Sequence, residues 1–478
     1  MLNAASRAPG ADPASGARPM RDAWAWVVLP ASPGRIAASG GSLPDTLRAA
    51  GAELLDLGDQ PDTVLADAAN GDHRLDWAAL GSPEVVVAIG GGADVVNERS
   101  HRVRRAAQIV RGHVAVAGTR RQSRVVAAQA RAAGRAISSF ETGDRSRPYT
   151  LGAGSLRQPQ AGSVVRASLT ARRETALQVA VAAVRAAAPD LGEAGTMRVV
   201  ESGKVIFSLA GDDGAPGAVV RLAGGPASAL LDRAVNAAAV LSGPSAPSLV
   251  SAAMPAQIAA GRAGLVSFSA ERWAPGAHPQ AGQAETWQCG RVFLEALRAV
   301  PSAAAKASDD IVAADLALLG PLLSRAARTR LDEIGKLVAA ELSGVQLGWA
   351  HGDFWLENLV IEGGQLVKVL DWDTAQDDEL PALDALDLLG FQNPHARWTT
   401  FGPRLMDYVL PLARGCDERL VAHCRAVGSP SDRRGLEALA WAWWMRRTAL
   451  TVRDYPDRRA RPLWLRENLE LPLLSGPG

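Results

Sequence analysis

The stretch from His351 to Asp373 constrains this chain more than any other. It reads His351-Gly352-Asp353-Phe354-Trp355-Leu356-Glu357-Asn358-Leu359-Val360-Ile361, then Gly363-Gly364, then an apolar run to Leu370, then Asp371-Trp372-Asp373. Apolar runs on either side of a glycine pair predict a β-hairpin. Asp353 and Asn358 lie on the loop before that hairpin, and Asp371 lies at its far end. A hairpin brings its two ends together, so three side chains able to hold a metal ion or take a proton converge.

Phosphoryl transfer needs such a set. The transferred group carries several negative charges that divalent cations must neutralise, and the acceptor hydroxyl needs orientation and a place for its proton. Kinases meet both needs with an Asp, an Asn five positions later and a second Asp beyond a short hairpin. Asp353, Asn358 and Asp371 stand at those positions. With His-Gly-Asp before and Asp-Trp-Asp after, the segment resembles the aminoglycoside phosphotransferase and choline kinase superfamily, small-molecule relatives of protein kinases. The resemblance covers roughly residues 190–478 and implies a bilobal α+β protein-kinase-like domain. It further implies Asp353 as catalytic base, His351 as organiser of the loop, Asn358 and Asp371 as magnesium ligands, and ATP or GTP as donor. Pro381-Ala-Leu-Asp384 matches the helix start that follows in the family, with Asp384 in a structural role.

A nucleotide lobe is expected upstream, over residues 191–275, with the second lobe over 276–478. Met197–Glu201 and Lys204–Leu209 predict a hairpin around Ser202 and Gly203, a turn whose backbone amides suit phosphates. Ala218–Leu222 predicts a strand carrying Arg221, where the resemblance implies a cation for the nucleotide phosphates. The family pairs that cation with a Glu on the next helix, Ala229–Leu241, but here the position is Asn236. Leu265–Glu271 predicts the last strand of the lobe. Apolar spacing near 3.6 predicts helices over Val292–Val300, Ile311–Leu319, Arg328–Leu342 and Leu436–Val452. The last has Trp441 and Trp444 on one face as core residues, with Trp443 turned away.

At 478 residues the chain has room for more than this domain. Residues 1–22, small, polar and proline-punctuated, read as a flexible tail. Residues 23–162 alternate strand and helix signals, with strands at Trp24–Leu29, Glu53–Leu57, Glu84–Ile89 and His113–Ala117 and helices at Leu43–Ala50, Arg102–Val110 and Arg124–Ala133. That alternation predicts a Rossmann-like α/β domain with a parallel sheet. Its late part looks somewhat like S-adenosylmethionine-dependent methyltransferases, though Gly90-Gly91-Gly92 is no dinucleotide fingerprint. The Ala-rich stretch 163–190 predicts a connector helix, at which the two parts should be separable.

Composition sets the outer limits. No run of about 18 apolar residues exists, so no spanning helix is expected. The three cysteines form no C-x-x-C pair, which fits a reducing cytoplasm. Net charge is +1, which excludes an obligatory polyanionic partner. Ten arginines between Arg99 and Arg135 have no interleaved aromatic residue and read as a solvated face, not a nucleic-acid site. Residues 279–400 carry 9 basic and 18 acidic residues, which suits a polycationic acceptor such as an aminoglycoside. Against that, Arg446, Arg447, Arg453, Arg458, Arg459 and Arg461 favour a neutral or anionic one, such as a sugar or glycan intermediate. Two other functions stay open: a kinase-like binding module without turnover, and a bifunctional protein with a methyltransferase-like N-terminal domain. Oligomeric state leaves no mark in the sequence.

Overall fold

The computed structural model describes residues 175–192, 194–195, 198–200, 202–302, 307–393, 395–396 and 399–475. Before them it describes residues 26, 29, 31, 35–39, 43–55, 63–67, 85–89, 113–118, 136–141 and 164–169. The expected tail, the helices over 102–110 and 124–133, most of the arginine-rich stretch and the Gly90-Gly91-Gly92 turn lie outside the described residues. The chain divides into two compact units. One comprises Gly16–Asp232 and Ala256–Trp273, the other Arg233–Pro255 and Ala274–Gly478.

The first unit holds two sheets. Strands β1 (Ile36–Ser39), β2 (Leu54–Leu55), β3 (Thr63–Asp67), β4 (Val85–Ile89), β5 (His113–Gly118), β6 (Ala136–Glu141) and β7 (Val164–Leu169) form one sheet in the order β2-β1-β3-β4-β5-β7-β6. The five strands from β2 to β5 are parallel, as the strand–helix alternation predicts. Strand β7 runs antiparallel to both β5 and β6. It falls inside the expected connector helix, so the described residues of 163–190 include a strand and a shorter helix, Ala176–Ala187, instead of one helix. Val164-Val165 at the start of this segment favours extended backbone, and pairing on both sides outweighs its helix-compatible alanines. The strand expected at Trp24–Leu29 is not formed at Trp26 or Leu29; the first strand lies at Ile36–Ser39, followed by helix α1 (Leu43–Ala49).

The second sheet is antiparallel: β8 (Arg198–Val199), β9 (Val205–Ala210), β10 (Pro216–Gly224), β11 (Gln257–Ala263) and β12 (Val266–Arg272), in the order β11-β12-β10-β9-β8. Period-two alternation splits its residues between two faces. Val205, Phe207 and Leu209 of β9, Ala218, Val220 and Leu222 of β10, and Val266, Phe268 and Ala270 of β12 share one core. That core also contains Trp26, Leu29, Leu43 and Leu47 from the N-terminal segment. Ala176, Leu177, Ala180 and Val184 of helix α2 (Ala176–Ala187) complete it. Helix α2 starts where Thr175 and Gln178 cap each other's backbone amides, the Thr-x-x-Gln capping box. The contact with Trp26 is close: a Cβ on Gly224 would lie 2.4 Å from its ring, so only glycine fits there. The expectation of a part separable near Ala187 is therefore corrected, because the antiparallel sheet shares its core with Trp26, Leu29, Leu43 and Leu47 and with Ala176, Leu177, Ala180, Val184 and Leu191.

The second unit begins within helix α3 (Pro226–Leu241) and continues through α4 (Ser248–Ala253), α5 (Ala284–Arg298), α6 (Ser308–Leu319) and α7 (Arg325–Leu342). Two short antiparallel pairs follow, β13 (Gly348–Ala350) with β16 (Gln376–Glu379), and the hairpin β14 (Leu359–Glu362) with β15 (Gln365–Val369). Helices α4 and α5 pack on these pairs, and α8 (Leu383–Gly390) packs against α5, α9 (Glu418–Val427) and α10 (Arg433–Asp454). Helix α10 is buried on all sides, so Trp443 is as enclosed as Trp441 and Trp444. Trp443 is not turned away from the core: its indole N–H donates to Asp387 Oδ1 at 2.7 Å. Among the described residues no helix is long and apolar enough to cross a membrane.

Candidate active site

The hairpin expected around Gly363-Gly364 is formed, and both glycines have positive φ. It sets Asn358, just before β14, across from Leu370, just after β15; the Leu370 amide donates to the Asn358 carbonyl at 2.7 Å. His351 reaches the same residue from the other side, Nε2 to the Leu370 carbonyl at 2.8 Å. A carbonyl can only accept, so Nε2 carries the proton. Nδ1 then accepts from the Asp353 amide at 3.2 Å, which fixes one neutral tautomer. Burial holds this imidazole far below its ordinary range, at about 4, so it remains neutral and organises the loop.

Asp353 is held by Asn358, whose side-chain amide donates to its carbonyl at 2.8 Å and to Oδ2 at 3.1 Å. With Nδ2 spent on Asp353, the Asn358 oxygen Oδ1 is left as a hard ligand atom, the kind magnesium takes. Desolvation pushes the Asp353 carboxyl up to about 7, and the neighbouring Asp387 and Asp371 charges add to the effect. A site with this excess of negative charge suits a cation. Asp371 follows Leu370 directly and has φ 61 and ψ 64, a left-handed conformation that costs a non-glycine residue roughly 1 kcal/mol. Among the described residues no group of three or more His, Cys, Asp or Glu could hold a metal by itself. Magnesium bound by one or two protein oxygens plus phosphates needs none.

The backbone around Asp353 is pinned from behind. Asp384, at the start of α8, accepts from the amides of His351 at 2.6 Å and Gly352 at 2.9 Å. Gly352 has φ +86, and a Cβ there would meet the Thr374 carbonyl at 2.5 Å. Asp384 and Asp387 are both bonded by Arg447, while Arg446 bonds Glu379, Asp315 and Gln376. These two arginines, read in the sequence as part of a basic stretch that favours a neutral or anionic acceptor, are buried and spent on internal side chains. Arg233, in the same unit, donates to the Asp373 carbonyl at 3.0 Å.

In the other unit, Arg221 lies on the polar face of the antiparallel sheet, 5% exposed, beside Ser208, Ser267 and Ser269. It pairs with Glu271 on the neighbouring strand β12 at 2.7 Å. The acid missing at Asn236 is thus supplied from a strand instead of the helix. Sequence reasoning missed Glu271, although its alternation with Ser267 and Ser269 marks the polar face. The Ser202-Gly203 turn joins β8 to β9, with Gly203 at φ +82 and its amide bonded to the Val200 carbonyl at 2.9 Å. The Ser202 hydroxyl is buried without a hydrogen-bond partner among the described residues.

Residues 208–419 match the family described as the phosphotransferase enzyme family. This part of the chain is a small-molecule phosphotransferase in kind. The match takes in Arg221, Glu271, Asp353, Asn358 and Asp371, and it says nothing of the residues before 208. No curated protein matches the chain. Among solved structures, the ADP-bound aminoglycoside phosphotransferase APH(2'')-Ib is similar at 14% identity, over 56% of this chain and 89% of that one, with a TM-score of 0.40. The apo form of a thermostable mutant of aminoglycoside phosphotransferase APH(4)-Ia is similar at 13%, over 60% and 96%, with a TM-score of 0.41. Macrolide 2'-phosphotransferase MphH from Brachybacterium faecium is similar at 16%, over 63% and 99%, with a TM-score of 0.40.

Proposed function

We propose that this chain transfers the γ-phosphoryl group of a magnesium-bound nucleoside triphosphate to a hydroxyl of a small molecule. The observation that carries the reading is the shared bonding of His351 and Asn358 to Leu370, which draws the Asp353 loop up to Asp371. Asp353 takes the proton of the acceptor hydroxyl as the new P–O bond forms. Asn358, through Oδ1, and Asp371 hold the cation, which when bound neutralises charge on the phosphates. Arg221 steadies the nucleotide phosphates, kept in register by Glu271, whereas the Gly203 amide of the expected phosphate turn is already bonded to the Val200 carbonyl. The reading of a module without turnover rested on Arg221 and on the missing acid at Asn236; the Arg221–Glu271 pair supports the enzyme reading, because it gives that cation an acid from a strand.

A neutral acceptor of the sugar class fits this site better than a polycation. Asp315, Glu379, Asp384 and Asp387, which contribute to the acidic excess, are buried against Arg446 and Arg447. The same pairs remove two arginines from the basic stretch. Both charge excesses are thus consumed in part inside the fold. The test is ATP consumption by the full chain with neutral sugars, sugar acids and aminoglycosides in parallel, with Asp353→Asn as the control. Turnover confined to aminoglycosides overturns the acceptor class. Magnesium–ATP binding with no turnover on any acceptor restores the reading of a binding module.

A further inference from the structure

Arg446 and Arg447 are consecutive on α10 and both buried, yet they serve different neighbours. Arg446 bonds Glu379 Oε2 at 2.6 Å, Asp315 Oδ1 at 3.0 Å and Gln376 Oε1 at 2.7 Å, none of which accepts from an amide of the catalytic loop. Arg447 donates from Nη2 to Asp384 Oδ1 at 2.9 Å and to Asp387 Oδ2 at 2.6 Å, and from Nε to the same Asp387 oxygen at 2.9 Å. Asp384 Oδ1 is also the atom that accepts from Gly352, while Oδ2 accepts from His351. We propose that Arg447 is a positioning residue for the phosphoryl-transfer site: it holds Asp384 in place, and Asp384 fixes the peptide that carries Asp353.

The chemistry supports this from both sides. Asp384 is almost wholly buried and next to Asp387, so without a cation its carboxylate would take up a proton. A protonated carboxyl loses an acceptor site and gains a donor, and it would face two amide N–H groups that both need acceptors. The loop has no slack to compensate, because Gly352 is already packed against Thr374. Arg447 touches neither Asp353 nor the metal ligands through any hydrogen bond, so its hold on the loop runs through Asp384, beside a through-space charge effect on Asp353 that its partner Asp387 opposes. The role in catalysis rests on the phosphotransferase reading; the mechanical link does not.

The test uses the full chain and Arg447→Met, Arg447→Lys, Asp384→Asn and Arg446→Met. Hydrogen exchange of the peptide spanning the His351 and Gly352 amides is measured first, since it needs no activity. Arg447→Met should speed exchange there by about 10-fold or more, with Arg447→Lys in between and Arg446→Met unchanged at these amides. In turnover, Arg447→Met should lower kcat by about 30- to 100-fold while KM for ATP stays within about threefold. In exchange at these amides, the double variant Arg447→Met/Asp384→Asn should be no faster than Asp384→Asn alone, because both act on one link. Unchanged exchange in Arg447→Met, equal acceleration in Arg446→Met, or additive acceleration in the double variant would overturn the proposal. If Arg447→Met does not fold, Arg447→Lys, which keeps the charge, carries the same comparison. If the parent turns over no acceptor, the kinase reading fails, while exchange still decides the link.

Discussion

Asp353, Asn358 and Asp371 lie within 19 residues of chain, and the hydrogen bonds that join their loop to the hairpin are all made between His351 and Leu370. The sheet that carries Arg221 is built differently. Its polar face is its own, but the opposite face is closed by Trp26, Leu43 and Leu47 and by helix α2. The two regions are built on different terms: local turn chemistry places reactive groups in one, and long-range burial holds the sheet of the other. Removing a reactive group should leave the fold intact. Removing a distant wall residue should weaken the fold and leave the chemistry of surviving molecules unchanged.

The largest effect tests the sheet. A chain beginning at Ala187 lacks α2 and the N-terminal wall, so it should fail to show a cooperative melt or a magnesium–ATP-dependent rise in melting temperature. A sharp, ligand-responsive melt would break the comparison. Next come the reactive groups. Asp371→Ala should abolish magnesium-dependent ATP binding in calorimetry, and Asp353→Asn should lower turnover by at least about 100-fold with the melting temperature almost unmoved. Trp26→Ala should do the reverse, costing about 3–5 kcal/mol in denaturant unfolding while kcat per folded molecule is kept. Loss of kcat beyond the loss of folded protein would show that the wall also tunes the site.

A smaller effect concerns acid. His423 is fully buried between α5 and α9, with Nδ1 3.9 Å from Glu295 and its ring edge-on to Trp287. Burial pushes its pKa down to about 4, with Glu295 opposing and Arg291 assisting. The unfolded chain therefore binds this proton more readily, and stability falls as pH drops from about 6.5 towards 4, by at most about 3 kcal/mol. Asp315, raised to about 6 by burial, contributes with the opposite sign. Comparing the parent with His423→Leu isolates the histidine: the difference in unfolding free energy should change over this window. A flat difference would show that His423 is already protonated in the fold. Smallest of all, Glu271→Gln should raise KM for ATP by up to about 10-fold through a less well-held Arg221, with kcat little changed.

The contrast also explains what could be read from the chain. Asp353, Asn358, His351 and Asp371 are legible because their spacing encodes a turn and a hairpin, both local. Strands β9, β10 and β12, and strands β4 and β5, are legible for the same reason, as apolar runs bounded by turn residues. Glu271 and Arg447 are not, since their partners lie 50 and 63 residues away along the chain. Nor is β7, whose extended form depends on pairing with β5 and β6. The burial of Arg446 and Arg447 withdraws them from the basic stretch read as favouring the acceptor, because a charge on a helix looks available to a ligand until its counterions are placed around it.

The wedge of Trp26 against Gly224 has a consequence for how the protein is made. Trp26, Leu43 and Leu47 leave the ribosome some 180 residues before strand β10, which at 5–20 residues per second is a wait on the order of 10–40 s. Throughout that interval the face they turn to β9, β10 and β12 has no antiparallel sheet to cover it. Synthesis of this protein thus includes a period of exposure that ends only when Gly224 arrives, and slow codons between them would lengthen it.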